Sequence, residues 1–493
     1  MSEHRSGRFS AIVRVSTFLL FCCVMVISAH AQTFTILFNL STPTGVDPLS
    51  PLVQGLDGNF YGTAAKGGTG IGGDGGGGTF FKITPSGKFT KIYDFCASAT
   101  YCPDGSTPGG LVALGADGSF YGVTLGDGRG LERSTVYKIT PQGSLTTLHV
   151  FCMVANCADG SNAISGLTLA WNGNFYGTSS GPNNTPYPDF NNTVFRISPS
   201  GYLTTILTVC PNLSCPADAG PAGGLLQASG GYMIGVGPGG ANGMGAIYRM
   251  TAAGAPSVIY SLCPDSACSD GELSFDPPPP VQTSDGNFVS TSPTGGAGAN
   301  CPYSQGCGTA FRVSGGGTLT KLHDFCSLAN CADGSAPNGL ILASDGNFYG
   351  TTSGGGNTLH GTVFQLTPSG KYTVIHTFGA TAGAGTQAAL LQATDGNLYG
   401  ATSGGTIFRI SLSLPAFVRT VQPAGKVGDS ITIFGNGLTE STSVTFNGAT
   451  ATFTVVSDTE IRATVPSGAS TGKVQITTPS GTLATTVNFP IHS

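Results

Sequence analysis

The sequence has few charged residues and, beyond its N-terminus, no long apolar run. Asp, Glu, Lys and Arg together make up only 9% of the 493 residues, and the net charge is negative. This balance argues against nucleic acid as a partner. No segment reaches the roughly 18 apolar residues that a membrane-spanning helix needs. We therefore expect no membrane span in the mature chain.

The N-terminus is typical of a secretory signal peptide. Arg5, Arg8 and Arg14 precede the apolar run from Thr17 to Ile27, and Ala29-His30-Ala31 offers small residues for cleavage. We expect residues 1–31 to be removed near Ala31, which leaves 17 basic and 24 acidic residues. The mature protein is predicted to be secreted, periplasmic or on the cell surface.

One short motif recurs through most of the chain. Its first copy, Asp57 to Gly62, reads Asp-Gly-Asn-Phe-Tyr-Gly. The later copies begin at Asp117, Asn172, Gly230, Asp285, Asp345 and Asp395. The spacing of about 56 residues indicates one supersecondary unit repeated seven times.

Each repeat is predicted to contain four short strands, A to D. In the sixth repeat these are Leu340 to Ser344, Phe348 to Thr352, Thr362 to Thr367 and Tyr372 to Phe378, separated by turn residues. The seventh repeat stops after strand C at Ser411, and Phe34 to Phe38 has the pattern of the missing strand D. The prediction is an all-β protein, a seven-bladed β-propeller of four-stranded blades closed by the N-terminal strand.

The cysteines form short-range pairs. Cys22 and Cys23 leave with the signal peptide. The remaining pairs are Cys96/Cys102, Cys152/Cys157, Cys210/Cys215, Cys263/Cys268, Cys301/Cys307 and Cys326/Cys331. In an exported protein these spacings favour six local disulfides. A zinc site is the weaker alternative, because four or five residues intervene within each pair and each pair is assigned to a separate repeat.

The repeats resemble a known family. Gly-x-Phe-Tyr-Gly, Gly-Thr-Val-Phe-Arg/Lys-Ile-Thr-Pro-Ser-Gly and Cys-x-Asp-Gly-Ser recur in fixed order over residues 34–411, as in the GloVer tandem repeats of exported bacterial proteins. The resemblance implies no established activity. We assign residues 32–411 to the propeller and residues 412–415 to a linker.

The C-terminal residues 416–493 have a different character. Gly428 to Leu438, Val444 to Gly448 and Val456 to Ile461 resemble an IPT/TIG domain, a small immunoglobulin-like β-sandwich. In exported bacterial proteins this resemblance implies a spacer or a binding module.

Motifs that suggest catalysis are better explained by the repeat. Ser179 sits in Gly-x-Ser-x-Gly, but at the end of a strand B where a nucleophile elbow needs a strand-to-helix turn. Gly70 to Gly75 fits a dinucleotide fingerprint without a following helix. The three histidines His149, His323 and His376 share one strand D position with Tyr93 and Tyr260, which favours a structural role over metal binding.

Three classes of function remain open. We favour an exported, non-catalytic binding or scaffold protein for an extracellular polysaccharide or protein, without a required cofactor. The alternative is a propeller-type lyase or glycoside hydrolase with a site built from loops. A quinone-dependent dehydrogenase is disfavoured because Trp171 is the single tryptophan.

A ligand is expected at the end of the propeller that carries the long B–C and D–A connections, because these vary between repeats. The D–A connections also deliver one aspartate each: Asp47, Asp104, Asp159, Asp218, Asp270 and Asp333. Several carboxylates converging at a channel mouth would suit Ca²⁺. The alternative is that each Asp-Gly only caps its own turn.

Overall fold

The structure is a computed structural model. It describes residues 32–70, 76–97, 102–126, 134–154, 157–163, 165–180, 192–208, 223–237, 239–241, 243–251, 253–273, 278–380 and 385–492. Over this part of the chain the protein is all-β, and no helix is long and apolar enough to cross a membrane. Cys210, Cys215 and Asp218 lie outside the described residues.

Within the described part of residues 33–411, the chain forms seven antiparallel sheets, numbered here in chain order. The first strand is β1 (Thr33–Asn39). Sheet 1 contains β2 (Val53–Gln54), β3 (Phe60–Ala64), β4 (Thr79–Ile83) and β5 (Phe89–Asp94). Sheet 2 contains β6 (Ser106–Leu114), β7 (Phe120–Gly126), β8 (Thr135–Ile139) and β9 (Leu145–Val150). In sheet 3 strand A is split in two, and the strands are β10 (Asn162–Ala163), β11 (Thr168–Leu169), β12 (Phe175–Ser180), β13 (Thr193–Ile197) and β14 (Leu203–Thr208).

The next sheets follow the same strand order. Sheet 4 contains β15 (Leu225–Gln227), β16 (Met233–Gly237), β17 (Ala246–Met250) and β18 (Pro256–Ser261). Sheet 5 contains β19 (Val281–Gln282), β20 (Phe288–Ser292), β21 (Thr309–Val313) and β22 (Leu319–Asp324). Sheet 6 contains β23 (Ser335–Leu342), β24 (Phe348–Gly354), β25 (Thr362–Leu366) and β26 (Tyr372–Thr377). Sheet 7 contains β27 (Leu391–Gln392), β28 (Leu398–Ala401), β29 (Thr406–Ser411) and β1.

The A-to-B turns of sheets 1, 2, 6 and 7 are built by the repeated motif, whose tyrosine hydroxyl donates to its aspartate. In sheet 1 the Asp57 carboxylate accepts hydrogen bonds from the Asn59 side chain at 2.7 Å and from the Tyr61 hydroxyl at 2.8 Å. Gly58 between them has φ +76°, which a residue with a side chain adopts only under strain. Burial raises the pKa of Tyr61, and its hydrogen bond to Asp57 adds to the shift. The motif therefore pairs a tight turn with a satisfied buried tyrosine.

The two ends of the repeat array meet in sheet 7. Strand β1 pairs antiparallel with β29 from Thr33 opposite Ser411 to Asn39 opposite Thr406. The N-terminal strand thus supplies the outer strand of a sheet whose other strands come from the end of the array. Phe34 packs on His376 and Phe408, with ring centroids 4.0 and 5.3 Å apart.

Aromatic pairs join one sheet to the next. The Tyr61 ring of sheet 1 lies 4.2 Å from Phe120 of sheet 2, and the Tyr121 ring lies 4.1 Å from Phe175 of sheet 3. Tyr399 of sheet 7 lies 4.1 Å from Phe60 of sheet 1, so the last sheet packs on the first. Antiparallel sheets packed in succession in this way make a β-propeller.

Glutamine side chains link neighbouring strands A. Gln54 of sheet 1 exchanges two 3.0 Å hydrogen bonds with Thr394 of sheet 7, one to its hydroxyl and one from its backbone N–H. Gln227, Gln282 and Gln392 each accept a hydrogen bond from a backbone N–H of the preceding sheet. These bonds place the strands A at the centre of the propeller.

The C-terminal residues form two further sheets. One contains β30 (Arg419–Thr420), β31 (Ser430–Phe434), β34 (Phe453–Ser457) and β35 (Glu460–Thr464). The other contains β32 (Ser443–Phe446), β33 (Ala449–Thr450), β36 (Val474–Thr478) and β37 (Gly481–Ala484). Residues of both sheets, including Ile433, Phe446 and Ile461, share one buried apolar cluster.

Candidate ligand face

The propeller sheets have two different ends. In an up-and-down sheet the A–B and C–D connections lie at one end, which we call the turn end. The B–C and D–A connections lie at the other, which we call the loop end. The connections at the loop end are longer and vary between repeats, so these two ends offer different surfaces to a partner.

The turn end is covered by the C-terminal part of the chain. The contacts between the two include four side-chain hydrogen bonds and one ring contact: Thr459 Oγ1 to Leu56 O at 2.6 Å, Asn436 Nδ2 to Thr394 Oγ1 at 2.9 Å, Ser344 Oγ to Pro415 O at 2.8 Å, Arg419 Nη2 to Gln392 O at 2.9 Å, and Trp171 stacked 5.5 Å from His492. These contacts involve sheets 1, 3, 6 and 7. A partner of ordinary size therefore finds much of this end occupied.

A cavity of about 240 Å³ lies beneath this cover. Its walls include Val112 and Leu391 of strands A and Leu52, which directly precedes β2, and Arg419 and Phe434 line it from the C-terminal side. The Arg419 guanidinium lies 5.3 Å from the Phe417 ring. Burial lowers the pKa of Arg419 to about 10, so its guanidinium still carries its charge at neutral pH.

At the loop end, hydrogen bonds to four of the D–A aspartates connect strand D to the loop that follows it. These residues are Asp104, Asp159, Asp270 and Asp333. Asp104 accepts a hydrogen bond from the Tyr93 hydroxyl at 2.9 Å and from the Cys96 N–H at 3.0 Å. Asp270 has the same two kinds of partner, the Tyr260 hydroxyl and the Cys263 N–H. Burial raises the pKa of Tyr93 and of Tyr260, and the neighbouring carboxylate adds to each shift.

Two histidines take the place of these tyrosines. His149 Nε2 lies 2.9 Å from Asp159, and His323 Nε2 lies 3.1 Å from Asp333. Burial alone would raise the pKa of Asp333, but hydrogen bonds from His323 and from two backbone N–H groups hold it below its usual value. The histidines therefore fill a repeated structural position, as the sequence indicates. His376 instead stacks on Phe34.

The first cysteine of four loops has an unusual backbone conformation. Cys96, Cys152, Cys263 and Cys326 have φ between 54° and 59°, a region that costs residues with a side chain about 1–2 kcal/mol. At Cys96, Cys152 and Cys263 the N–H donates to the D–A aspartate. The carboxylate and the disulfide together hold this strained turn.

The structure does not bring the described D–A aspartates into one metal-binding group. Among the described residues, the one group of three or more His, Cys, Asp or Glu side chains close enough to share a metal ion is Cys307, Cys326 and Cys331. Asp47 instead forms an ion pair with Lys66 at 2.9 Å. This geometry favours the capping alternative, and calcium binding at Asp47, Asp104, Asp159, Asp218, Asp270 and Asp333 stays a prediction.

Five of the predicted disulfides are confirmed: Cys96–Cys102, Cys152–Cys157, Cys263–Cys268, Cys301–Cys307 and Cys326–Cys331. The sixth pair, Cys210 and Cys215, lies outside the described residues. The assignment of each pair to a separate repeat was wrong. Cys301–Cys307 lies in the B–C loop of sheet 5 and Cys326–Cys331 in the D–A loop that follows the same sheet, and the spacing of the repeats already contained this information.

The catalytic motifs weighed from the sequence have structural roles where the structure describes them. Ser179 is buried in β12, and its hydroxyl lies 2.6 Å from the Thr193 hydroxyl of β13. Strand β12 pairs antiparallel with β13, so Ser179 is a ladder residue of the sheet, and residues 181–191 after it lie outside the described residues. Residues 71–75 of the glycine-rich run lie outside the described residues.

The sequence did not single out the apolar side chains that the loop end exposes. Met153, Tyr303, Leu328 and Leu359 are between 55% and 70% exposed. Met153 and Leu328 lie within disulfide loops of the D–A type, and Tyr303 lies within the Cys301–Cys307 loop. For Met153, Tyr303 and Leu328, the position between paired cysteines was the available signal in the sequence, whereas Leu359 has no such signal.

A family model for the Gloeobacter/Verrucomicrobia repeat matches residues 22–237, 107–327 and 220–455. The chain belongs to this repeat family. No curated protein matches it. Among solved structures it is similar to the WD40 β-propeller domain of Doa1, at 10% identity and TM-score 0.46 over 78% of this chain and 98% of that one. It is also similar to the extracellular domain of a hybrid two component system from B. thetaiotaomicron, at 11% identity and TM-score 0.47 over 94% of this chain and 58% of that one.

Proposed function

We propose that this member of the repeat family is an exported, non-catalytic binding or scaffold protein. Residues 1–31 are its signal peptide, and residues 32–411 form a seven-bladed propeller closed by β1. Residues 412–415 are a linker, and residues 416–493 form an IPT/TIG-like sandwich. The ligand is an extracellular polysaccharide or protein that binds the loop end.

The unequal use of the two ends carries this proposal. The turn end is in contact with the chain's own C-terminal sheets through residues such as Thr459 and Asn436. The loop end presents exposed apolar side chains on short loops, and disulfides fix these loops before any ligand arrives. Preorganised loops lose less conformational entropy on binding, which favours affinity.

The disulfides support export, which is part of the same proposal. Five disulfides among the described residues suit an oxidising compartment and not the cytosol. The only group of three or more His, Cys, Asp or Glu side chains in the described chain that is close enough to share a metal ion consists of disulfide cysteines. Binding by shape and apolar contact needs no such cluster.

The test is to screen the mature protein against a glycan array and a panel of soluble polysaccharides and extracellular proteins. We expect a reversible complex with unchanged ligand. Release of shortened or unsaturated sugar would instead support the lyase or hydrolase alternative. Absence of any complex in the whole panel would count against the binding function.

A pair of matched tyrosines locates the bound surface. Tyr303 at the loop end is 66% exposed, and Tyr202 in the C–D turn of sheet 3 is 75% exposed. Once a ligand is found, Tyr303→Ser and Leu328→Ser should weaken binding several-fold, whereas Tyr202→Ser should leave it unchanged. The opposite pattern would place the ligand at the turn end.

Calcium is a separate proposal with its own measurement. The calcium hypothesis requires that isothermal titration of the mature protein with Ca²⁺ show heat of binding that is lost when Asp104, Asp159 and Asp333 are changed to Asn. Binding that is absent, or that survives in the variant, would leave capping as the role of these aspartates.

A further inference from the structure

Two disulfides meet at the loop end of sheet 5. The sulfur atoms of Cys307, Cys326 and Cys331 all lie within 4.8 Å of one another, although Cys307 is bonded to Cys301 and Cys326 is bonded to Cys331. Cys307 is 2% exposed, Cys326 is completely buried and Cys331 is 9% exposed. Cys301 is partly exposed. A reagent in solvent therefore reaches the first disulfide from its Cys301 side.

Backbone hydrogen bonds hold the two loops against each other. The Asn300 N–H donates to the Cys326 carbonyl at 3.0 Å, and the Asn300 side-chain amide donates to the Ser327 carbonyl at 2.9 Å. The Ala336 N–H donates to the Cys307 carbonyl at 2.9 Å. Hydrogen bonds therefore join these segments in addition to the two disulfides.

We propose that Cys307, Cys326 and Cys331 form an internal thiol–disulfide exchange site. A small thiol attacks the Cys301 sulfur, forms a mixed disulfide with it and releases Cys307 as a thiolate. The Cys307 thiolate then attacks the Cys326 or the Cys331 sulfur and forms a new disulfide with it. The other cysteine of that pair leaves as a thiolate and takes a proton from solvent, so the second step needs no external oxidant or reductant.

The exchange changes which loops are tied together. Before it, each disulfide closes a loop within itself. After it, a bond from Cys307 joins the B–C loop of sheet 5 to the D–A loop that follows, beside the exposed Tyr303 and Leu328. The thiol content of the surroundings would thereby alter the surface of the loop end. This consequence for a ligand rests on the proposed function, whereas the exchange itself does not.

The first sheet provides a matched control. Cys96–Cys102 is also a local disulfide at the loop end, but the B–C loop before it, residues 65–78, contains no cysteine. A thiol released there has no second disulfide of its own sheet to attack.

The test uses the mature protein with Cys301→Ser, which leaves Cys307 without its partner. Free thiols are labelled at low pH with a maleimide, and the labelled peptides are mapped by mass spectrometry without reduction. We expect the label to be shared between Cys307 and Cys326 or Cys331, together with peptides cross-linked through Cys307. Label on Cys307 alone would overturn the proposal.

Two further measurements keep the result interpretable. In Cys96→Ser the label should stay on Cys102, and scattering of label in this variant would show that exchange is not specific to the sheet 5 site and would overturn the proposal. If Cys301→Ser does not fold, the wild-type protein is treated briefly with glutathione. Glutathione on Cys301 with label on Cys326 or Cys331 is expected, and label confined to Cys307 would contradict the exchange. None of these readouts depends on a ligand.

Discussion

The two ends of the propeller use the same residue type for different purposes. At the turn end Asp345 is exposed and accepts hydrogen bonds within its own hairpin, from the Asn347 side chain and from the Tyr349 hydroxyl. At the loop end Asp333 is completely buried and joins strand D to a disulfide loop. A repeated aspartate is thus a local cap at one end and a bridge between segments at the other. Substitutions at the two ends should therefore lower the free energy of unfolding by different amounts.

Strand β1 pairs with the last strand of the repeat array, so removing β1 should have the largest effect. Deletion of residues 33–39 from the mature protein removes the pairing with β29 and the packing of Phe34, a loss on the order of 5 kcal/mol at about 1 kcal/mol per hydrogen bond. Calorimetry should show a lower melting temperature. Hydrogen exchange should show faster exchange at both ends of sheets 1 and 7.

Ile36 provides the control for that deletion. Its side chain is 45% exposed, so Ile36→Ser should keep the strand and leave the melting temperature within about a degree, as expected for surface changes within about 0.5 kcal/mol. An unchanged melting temperature after the deletion would show that the ring does not rely on β1.

The next largest effect tests the two aspartates directly. Asp333→Ala leaves His323 Nε2 and the N–H groups of Ser327 and Leu328 without their acceptor, at a cost of about 3 kcal/mol for the three hydrogen bonds. Asp345→Ala removes hydrogen bonds in an exposed turn and should cost about 1 kcal/mol. Urea unfolding of both variants measures the difference. Equal costs would remove the distinction between a local cap and a bridge.

The pH dependence sharpens the comparison. The folded-state pKa of Asp333 is held below its usual value, so its contribution to stability is complete above the unfolded pKa of about 3.9. It is lost as the pH falls from there through the folded pKa, because the unfolded state then binds the proton first. Between pH 7 and pH 3, wild type should therefore lose more stability than Asp333→Asn. Parallel curves for the two proteins would contradict this role.

The smallest effect is expected at Asp47, which lies at the loop end but is not a bridge. Its ion pair with Lys66 joins side chains that are 36% and 45% exposed, and such surface pairs contribute roughly 0–1 kcal/mol. Asp47→Asn should leave the urea midpoint almost unchanged at any salt concentration. If Asp47→Asn lowered the free energy of unfolding as much as Asp333→Ala, the position of an aspartate in the loop would determine its contribution to stability more than its burial does.

The local parts of this structure follow from the sequence because they depend on neighbouring residues. The sixth repeat was predicted to turn at Asp345 to Asn347, and Gly346 has φ +80° there. Strands B and D begin at the predicted Phe348 and Tyr372. Strand A begins earlier than predicted, at Ser335, because residues after the disulfide loop already pair with strand B.

Contacts between distant segments could not be read in the same way. Gln54 bonds to Thr394 across the whole array, and nothing in either local pattern names the other residue. The approach of Cys307 to Cys326 depends on how two loops fold back on one sheet. The sequence shows that tyrosine and histidine alternate at one repeated position of strand D. It does not show that this side chain bonds to the D–A aspartate.

Trp171 also has a practical consequence. It is the single tryptophan of the chain, and its indole stacks on the imidazole of His492, next to the C-terminus, with an interplanar angle of 20°. Its emission spectrum is therefore an intrinsic optical probe of one specific contact. Detachment of the C-terminal sheets would bring water to the indole and shift the emission to longer wavelength, without any added dye.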